Sequence, residues 1–240
     1  MNSILQLSNV QTYIEQYHIL HGVSFDVPEN AVTMLLGRNG AGKTTTLRSI
    51  MKMQSPEEGE VFLFGEPVSH LNTREISNRG VSYIPENLGI FSSLTVYENM
   101  RVAAKNGPFD ENRLHWIFGV FPEIKKFWHW PAERLSGGQK QMLAISRALI
   151  EPTKLLIMDE PSKGLAPFIV DLFVEVLEEL KEFKTTMLIV EQNFKFSKAI
   201  GDHVVVMESG KVVCTCSMQD FAADESLQVD LLGLNLVGQR

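Results

Sequence analysis

Residues 32–45 run Val-Thr-Met-Leu-Leu-Gly-Arg-Asn-Gly-Ala-Gly-Lys-Thr-Thr: a short apolar stretch, glycines at 37, 40 and 42, then Lys43 and Thr44. The stretch has the character of a buried strand, and Leu47 with Ile50 behind it gives a helical spacing. Strand, glycine-rich turn and helix start in that order supply the context that the pattern G-x-x-x-x-G-K-[ST] requires. Glycines let backbone N–H groups curl around an anion, and a helix N-terminus adds a favourable dipole. Lys43 offers a point charge to β- and γ-phosphates, and Thr44 a hydroxyl to Mg²⁺. Gly37, Arg38, Asn39, Gly40, Ala41, Gly42, Lys43, Thr44 and Thr45 are therefore the expected nucleotide cradle.

On either side of this segment, short β-rich runs recur at Ile4–Leu7, Ser24–Val27, Val61–Phe64, Val81–Pro85, Leu155–Asp159, Met187–Val190, Val204–Glu208 and Val212–Cys214. Several are continuous apolar runs, the mark of strands buried on both faces. Helical patterns separate them, the clearest starting at Pro167 with Ile169, Phe173, Val176, Leu177 and Leu180 on one stripe. Buried strands interleaved with helices predict a mostly parallel α/β sheet. From about Leu88 to Ile150 helical patterns dominate, which predicts a helical lobe inserted into an α/β core formed by residues 1–87 and 151–240, all within one domain. Glu208-Ser209-Gly210-Lys211 is a turn signal between two β-rich runs and predicts a hairpin, followed by short C-terminal helices.

Composition narrows the function. The 240 residues contain 22 Lys+Arg against 29 Asp+Glu, a net charge of −7, and no basic stripe suited to a phosphate backbone. Nucleic acid is not an expected partner. No apolar run approaches the roughly 18 residues of a spanning helix. The opening MNSILQLSNV shows neither a basic leader nor a cleavage site, so the expected location is the cytoplasm. Cys214 and Cys216, two apart on a predicted strand, lack further cysteines to complete a tetrahedral metal set.

Two further segments carry chemistry. Leu155-Leu156-Ile157-Met158 ends in Asp159-Glu160. Successive residues at a strand end point different ways, so Asp159 can hold the Mg²⁺ shell while Glu160 orients and polarises an attacking water. An acidic pair after a strand is, alone, more at home in a solvated turn; beside Lys43 and Thr44 it makes a nucleotide site. Leu135-Ser136-Gly137-Gly138-Gln139 precedes the helical pattern of Met142, Leu143, Ile145 and Leu149 and offers a second helix N-terminus to an anion.

Gly37–Thr44, Leu135–Gln139 and Leu156–Glu160, in that order, resemble the Walker A, signature and Walker B motifs of ABC-type ATPases, over nearly the whole chain. The resemblance implies a P-loop NTPase fold with an antiparallel N-terminal β portion. It also implies ATP and Mg²⁺ as cofactors, and a head-to-tail dimer with ATP between Walker A of one subunit and Ser136, Gly137, Gly138 and Gln139 of the other. An aromatic side chain near the N-terminus would stack on adenine, Tyr13 by preference, with Tyr17 and Ile14 as competing positions. Ser162 and Gly164 fall where the family couples its two sites.

Two positions depart from the common pattern. Glu86 stands after Val81-Ser82-Tyr83-Ile84-Pro85 where Gln is usual, and its carboxylate can still reach Mg²⁺ or its water. Gln192 stands where a switch His is usual; it can bond a γ-phosphate but carries no proton charge. With Gln141–Ile145, Pro161–Pro167 and Val190–Asn193, these residues resemble the branched-chain amino acid importers and their urea and short-amide relatives, whereas Asn87-Leu88-Gly89 departs from them. The implied partners are membrane-spanning permease subunits, a second ABC ATPase subunit and, indirectly, an extracytoplasmic solute-binding protein. The implied location is peripheral, on the inner face of the membrane. A GTPase or small kinase would need an Asn-Lys-x-Asp motif or a second lid, and neither occurs. Phe127-Trp128-His129-Trp130 suits either the packing core of the helical lobe or a surface that grips a coupling helix.

Overall fold

The computed structural model describes residues 2–105 and 107–233. Strands β1 (Ser3–Ile14) and β2 (Tyr17–Pro28) form a long antiparallel hairpin. β3 (Val32–Leu36) then runs into the glycine loop and helix α1 (Lys43–Ile50). β4 (Glu58–Leu63) returns beside β1, the two-residue β5 (Glu66–Pro67) pairs with β4, and α2 (Thr73–Asn78) leads to β6 (Val81–Ile84). Between β6 and the next strand lie helices α3 (Val96–Ala103), α4 (Glu111–Val120), α5 (Pro122–Lys126), a 3₁₀ turn at Ala132–Arg134 and α6 (Gly137–Leu149). The chain finishes with β7 (Leu155–Asp159), α7 (Pro167–Glu182), β8 (Thr186–Glu191), α8 (Phe194–Ile200), the hairpin of β9 (His203–Glu208) and β10 (Lys211–Ser217), and helices α9 (Met218–Ala223) and α10 (Glu225–Leu232).

These strands make two sheets, β2-β1-β4-β5 and β10-β9-β3-β8-β7-β6. The first is antiparallel, and the second is parallel except for its edge strand β10. Every residue of β3, β7 and β8 is buried, the condition that parallel strands covered on both faces demand. Alternation divides their side chains between two cores. Leu35, Leu155, Ile157, Leu188 and Val190 pack with Leu5, Val10, Leu20 and Leu47 under the antiparallel sheet and α1. Met34, Leu36, Leu156, Met158 and Ile189 pack with Leu143, Ile145, Phe173, Leu177 and Phe196 under the helices.

The sequence runs locate the sheet strands, but β1 and β2 are three times longer than Ile4–Leu7 and Ser24–Val27 suggest. Their register shifts between Leu7 and Val10 and again near Gln11 and Tyr13, and each shift breaks the apolar alternation that a sequence pattern needs. The aromatic run divides: Phe127 and Trp128 are half-buried against the lobe core, while His129 and Trp130 are exposed. Trp128 meets Tyr97, Phe109 and Phe118 edge-on at 5.5, 5.9 and 5.1 Å between ring centroids, an aromatic packing centre for α3 and α4.

The β9–β10 turn braces the glycine loop. Gly210 donates its N–H to Ala41 O at 3.0 Å and accepts from His21 N at 2.8 Å, joining loop, turn and β2. Gly210 has φ +75°, and a Cβ there would lie 2.1 Å from Ile19 O. Gly65 has a similar φ of +79° but open space around it. Gly65→Ala is therefore expected to cost about 1 kcal/mol of backbone strain, and Gly210→Ala at least roughly 3 kcal/mol once the clash adds to the strain. Urea unfolding midpoints check this, and equal losses would contradict the brace.

Candidate functional site

The carboxyl ends of the parallel strands align. Leu36 of β3 pairs with Glu191 of β8, and Val190 of β8 pairs with Asp159 of β7, so the glycine loop, the acidic pair and the segment after β8 emerge side by side. Ligands of open α/β sheets bind at such an edge. Gly37, Gly40 and Gly42 adopt φ +149°, +81° and +100°, values that side-chain-bearing residues rarely take. Gly42 caps α1 without any side-chain hydrogen bond, leaving the first-turn N–H groups to an external acceptor. Arg38, Asn39 and Gly40 form the exposed tip, Ala41 is buried below it, and Thr44 and Thr45 are half-buried at the helix start. The Arg38 guanidinium reaches Asp230 O of α10 at 3.4 Å.

Lys43 is buried and its ammonium folds back on the loop, donating to Gly37 O at 2.7 Å and Arg38 O at 3.0 Å. Burial pulls its pKa below the ordinary lysine value, while Glu160, Asp159 and Glu191 pull it upward. Asp159 is 2% exposed, and among the described residues neither carboxylate oxygen has a hydrogen-bond partner. Burial raises its pKa, with Glu160 and Glu86 adding to the rise, and the Thr44 hydroxyl, close by though outside strict hydrogen-bond geometry, opposing it. A buried carboxylate with both oxygens unpaired, beside a threonine hydroxyl, offers hard oxygen donors that suit a divalent cation such as Mg²⁺.

Glu160 sits one residue beyond β7 at φ +50°, with its N–H bonded to Val190 O at 2.9 Å. Gln192 Nε2 donates to Glu160 Oε1 and also to Asn39 Oδ1, the latter at 2.7 Å. Lys163 Nζ reaches Glu160 Oε2 at 3.0 Å and Glu86 Oε1 at 2.6 Å. Burial pushes the Glu160 pKa up, but the bonds from Gln192 and Lys163 and the charges of Lys163 and Lys43 outweigh it and hold the carboxyl below its ordinary value. The structure thus brings Asn39, Glu86, Glu160 and Gln192 into one hydrogen-bonded group.

The other sequence candidates lie apart from that group. Ser136 caps α6 in a reciprocal box, its hydroxyl accepting from Gln139 N while Gln139 Oε1 accepts from Ser136 N at 2.9 Å. Gln139 Nε2 also donates to Glu123. Gly137 has open space around it, and Gly138 packs on Ile169 of α7. Tyr13 stacks face to face on His18, with ring centroids 4.1 Å apart and planes 6° from parallel; Tyr17 is 61% exposed. Ser162 is buried and Gly164 turns the chain at φ +72°.

Two residues in the site carry roles that the sequence reading did not assign. Glu191 is 2% exposed, and its carboxylate accepts from Ser162 N at 2.8 Å, Gln192 N at 3.1 Å and Asn193 N at 3.2 Å. It fastens the loop after β7 to the loop after β8. Burial raises its pKa and these bonds resist the rise. Its sequence signal, an acid ending an apolar strand, is the same as that of Asp159. Lys163 is the other, and only the fold brings it to Glu86.

A family profile described as ABC transporter matches residues 20–163. The chain belongs to the ABC transporter ATPase family. The cassette is 34% identical over 212 residues to the high-affinity branched-chain amino acid transport ATP-binding protein BraG of Pseudomonas aeruginosa, an alignment covering 88% of this chain and 91% of BraG. It is 33% identical over 223 residues to the probable branched-chain amino acid transport ATP-binding protein LivF of Archaeoglobus fulgidus, covering 92% and 94%. Among solved structures, a nucleotide-free ATP-binding cassette from an ABC transporter superposes with a TM-score of 0.82 at 25% identity, covering 94% of this chain and 97% of that one. This cassette is an ATP-hydrolysing enzyme with the P-loop NTPase fold. No helix among its described residues is long and apolar enough to cross a membrane.

The Gln192 amide helps to hold Glu160 ionised, so wild type keeps the carboxylate form as pH falls through the ordinary glutamate range. Removing the amide leaves burial less opposed and raises the Glu160 pKa. The acid limb of the ATP hydrolysis profile is therefore expected at higher pH in Gln192→Ala than in wild type. A drop in rate with an unmoved acid limb would contradict the electrostatic role of Gln192.

Proposed function

We propose that the cassette powers import of a small solute, branched-chain amino acids first, as one ATPase of a dimer docked on membrane-spanning permease subunits at the inner face of the membrane. The observation that carries the motor reading is the convergence on Glu160 of Lys163 and of Gln192, which also bonds Asn39, beside the uncapped start of α1. The cargo reading rests on the likeness to BraG and LivF over more than 90% of each.

The loop of residues 37–45 would wrap the triphosphate, with Lys43 leaving the carbonyls of Gly37 and Arg38 for the β- and γ-phosphates. Thr44, Asp159 and Glu86 would hold Mg²⁺, which supplies neutralising charge to the phosphate oxygens when bound. Glu160, kept anionic, accepts a proton from the attacking water as its oxygen forms the new bond to the γ-phosphorus and the bond to ADP breaks. Gln192 orients Glu160 and Asn39 around that water. Tyr13, with His18 behind it, offers a flat face to adenine.

Ser136, Gly137, Gly138 and Gln139 form the start of α6, a helix N-terminus suited to the phosphates of a second ATPase subunit. Hydrolysis would then wait on dimer closure, with Ser162 and Gly164 next to the joint. A groove of about 310 Å³ between β6 and the helices α3 and α6, lined by Tyr83, Pro85, Leu88, Val102, Ala103 and Arg147, suits a permease segment. An extracytoplasmic solute-binding protein would act on the same machine from the far side.

Uptake of labelled leucine, isoleucine, valine and urea in cells lacking the chain tests the cargo. Wild type is expected to restore the branched-chain amino acids, and Glu160→Gln to restore nothing. Restoration of urea alone would move the cargo to short amides, and no change in any solute would sink the importer reading. In vitro, Glu160→Gln should lose at least about 10²-fold in turnover and accumulate as a dimer with ATP by light scattering. A monomer at saturating ATP would count against the shared site.

A further inference from the structure

Among the described residues, Lys43 and Lys163 place their ammonium groups near these carboxylates, and they are engaged differently. Lys43 spends its hydrogen bonds on the carbonyls of its own loop. Lys163 spends its on carboxylates, 2.6 Å from Glu86 and 3.0 Å from Glu160. The three side chains come from two loops: Glu86 follows β6, while Glu160 and Lys163 lie three residues apart in the loop between β7 and α7. That loop is fixed one residue earlier, where the buried Glu191 carboxylate accepts from Ser162 N. The backbone under Lys163 is thus anchored, while its side chain, 58% exposed, is free to swing away.

We propose that Lys163 is a resident counter-ion: its ammonium joins Glu86 to Glu160, and a divalent cation that binds with nucleotide displaces it from Glu86. Without such a counter-ion, Glu86, Asp159 and Glu160 would repel one another across a partly desolvated space. With it, Glu86 and Glu160 are pre-placed and the cation must compete for one of them. The metal's contribution to nucleotide affinity is then smaller than three free carboxylates would give. This deepens the proposed function and rests on its reading of Glu86 as a ligand of the metal.

The test is the affinity of a fluorescent, non-hydrolysable ATP analogue, measured with Mg²⁺ and with EDTA, in wild type, Lys163→Met and Lys163→Arg. The quantity compared is the ratio of the two dissociation constants, which reports the metal's contribution without turnover. Exposed pairs of this kind contribute modestly, so the ratio should grow by about 3- to 10-fold in Lys163→Met and stay at the wild-type value in Lys163→Arg. In the background of Glu86→Gln, Lys163→Met should change the ratio much less, because the displaced contact is already absent. An unchanged ratio in Lys163→Met overturns the proposal. So does an equal loss of affinity with and without metal, which would make Lys163 a phosphate ligand. A wild-type cassette that binds no analogue in either buffer would instead overturn the nucleotide reading itself.

Discussion

An unpaired carboxylate at the end of a buried strand is the feature around which the rest of this cassette is arranged. Asp159 lies at the carboxyl edge of a sheet covered on one face by helices and on the other by the antiparallel sheet and α1, and it finds no hydrogen-bond donor among the described residues. Burial of such a group costs free energy unless something external satisfies it. The loop beside it has the complementary deficit: α1 begins at Gly42 with no side chain on its first-turn N–H groups. An unpaired carboxylate and uncapped N–H groups at one sheet edge are complementary to a cation and to an anion, the two charges that a metal-bound polyphosphate carries.

Around this core the polar groups are well satisfied. Glu191, equally buried, accepts three backbone N–H groups and so fixes Ser162 and Gln192 relative to each other. Gln192 then spans Glu160 and Asn39, and Lys163 spans Glu160 and Glu86. Four loops that leave different strands are thereby tied to Glu160 or to its immediate neighbours. If Glu160 activates water as proposed, such a frame gives its carboxylate an orientation without mobile side chains to order at the moment of reaction. The brace from Gly210 to Ala41 does the same for the phosphate loop from the opposite side.

Much of this was legible in the sequence because it depends on local signals. Val32–Leu36, Leu155–Asp159 and Met187–Val190 are apolar runs of strand length, and Gly37–Thr44 carries its own backbone requirements. The hairpin at Glu208–Lys211 and the helix from Pro167 were equally plain. The long β1–β2 hairpin was not, because its bulges shift the alternation and its turn at Glu15 and Gln16 contains neither Gly nor Pro. Glu191 is not legible in the sequence, because an acid at a strand end has the pattern of a solvated one and only the fold brings three N–H donors around it. The Lys163–Glu86 contact joins residues 77 apart in sequence, a separation at which no periodicity or motif reports contact.

The central claim is that Asp159 is destabilising in the empty cassette and indispensable once metal and nucleotide bind. Thermal unfolding of wild type and Asp159→Asn, each with and without Mg²⁺ and a non-hydrolysable ATP analogue, tests both halves at once. Wild type should gain about 2.7 kcal/mol at ligand one hundredfold above its dissociation constant. Asp159→Asn should melt at or above the wild-type temperature when empty and lose the part of that gain that depends on Mg²⁺. An empty variant that melts well below wild type, or one that keeps the full Mg²⁺-dependent gain, would contradict the account.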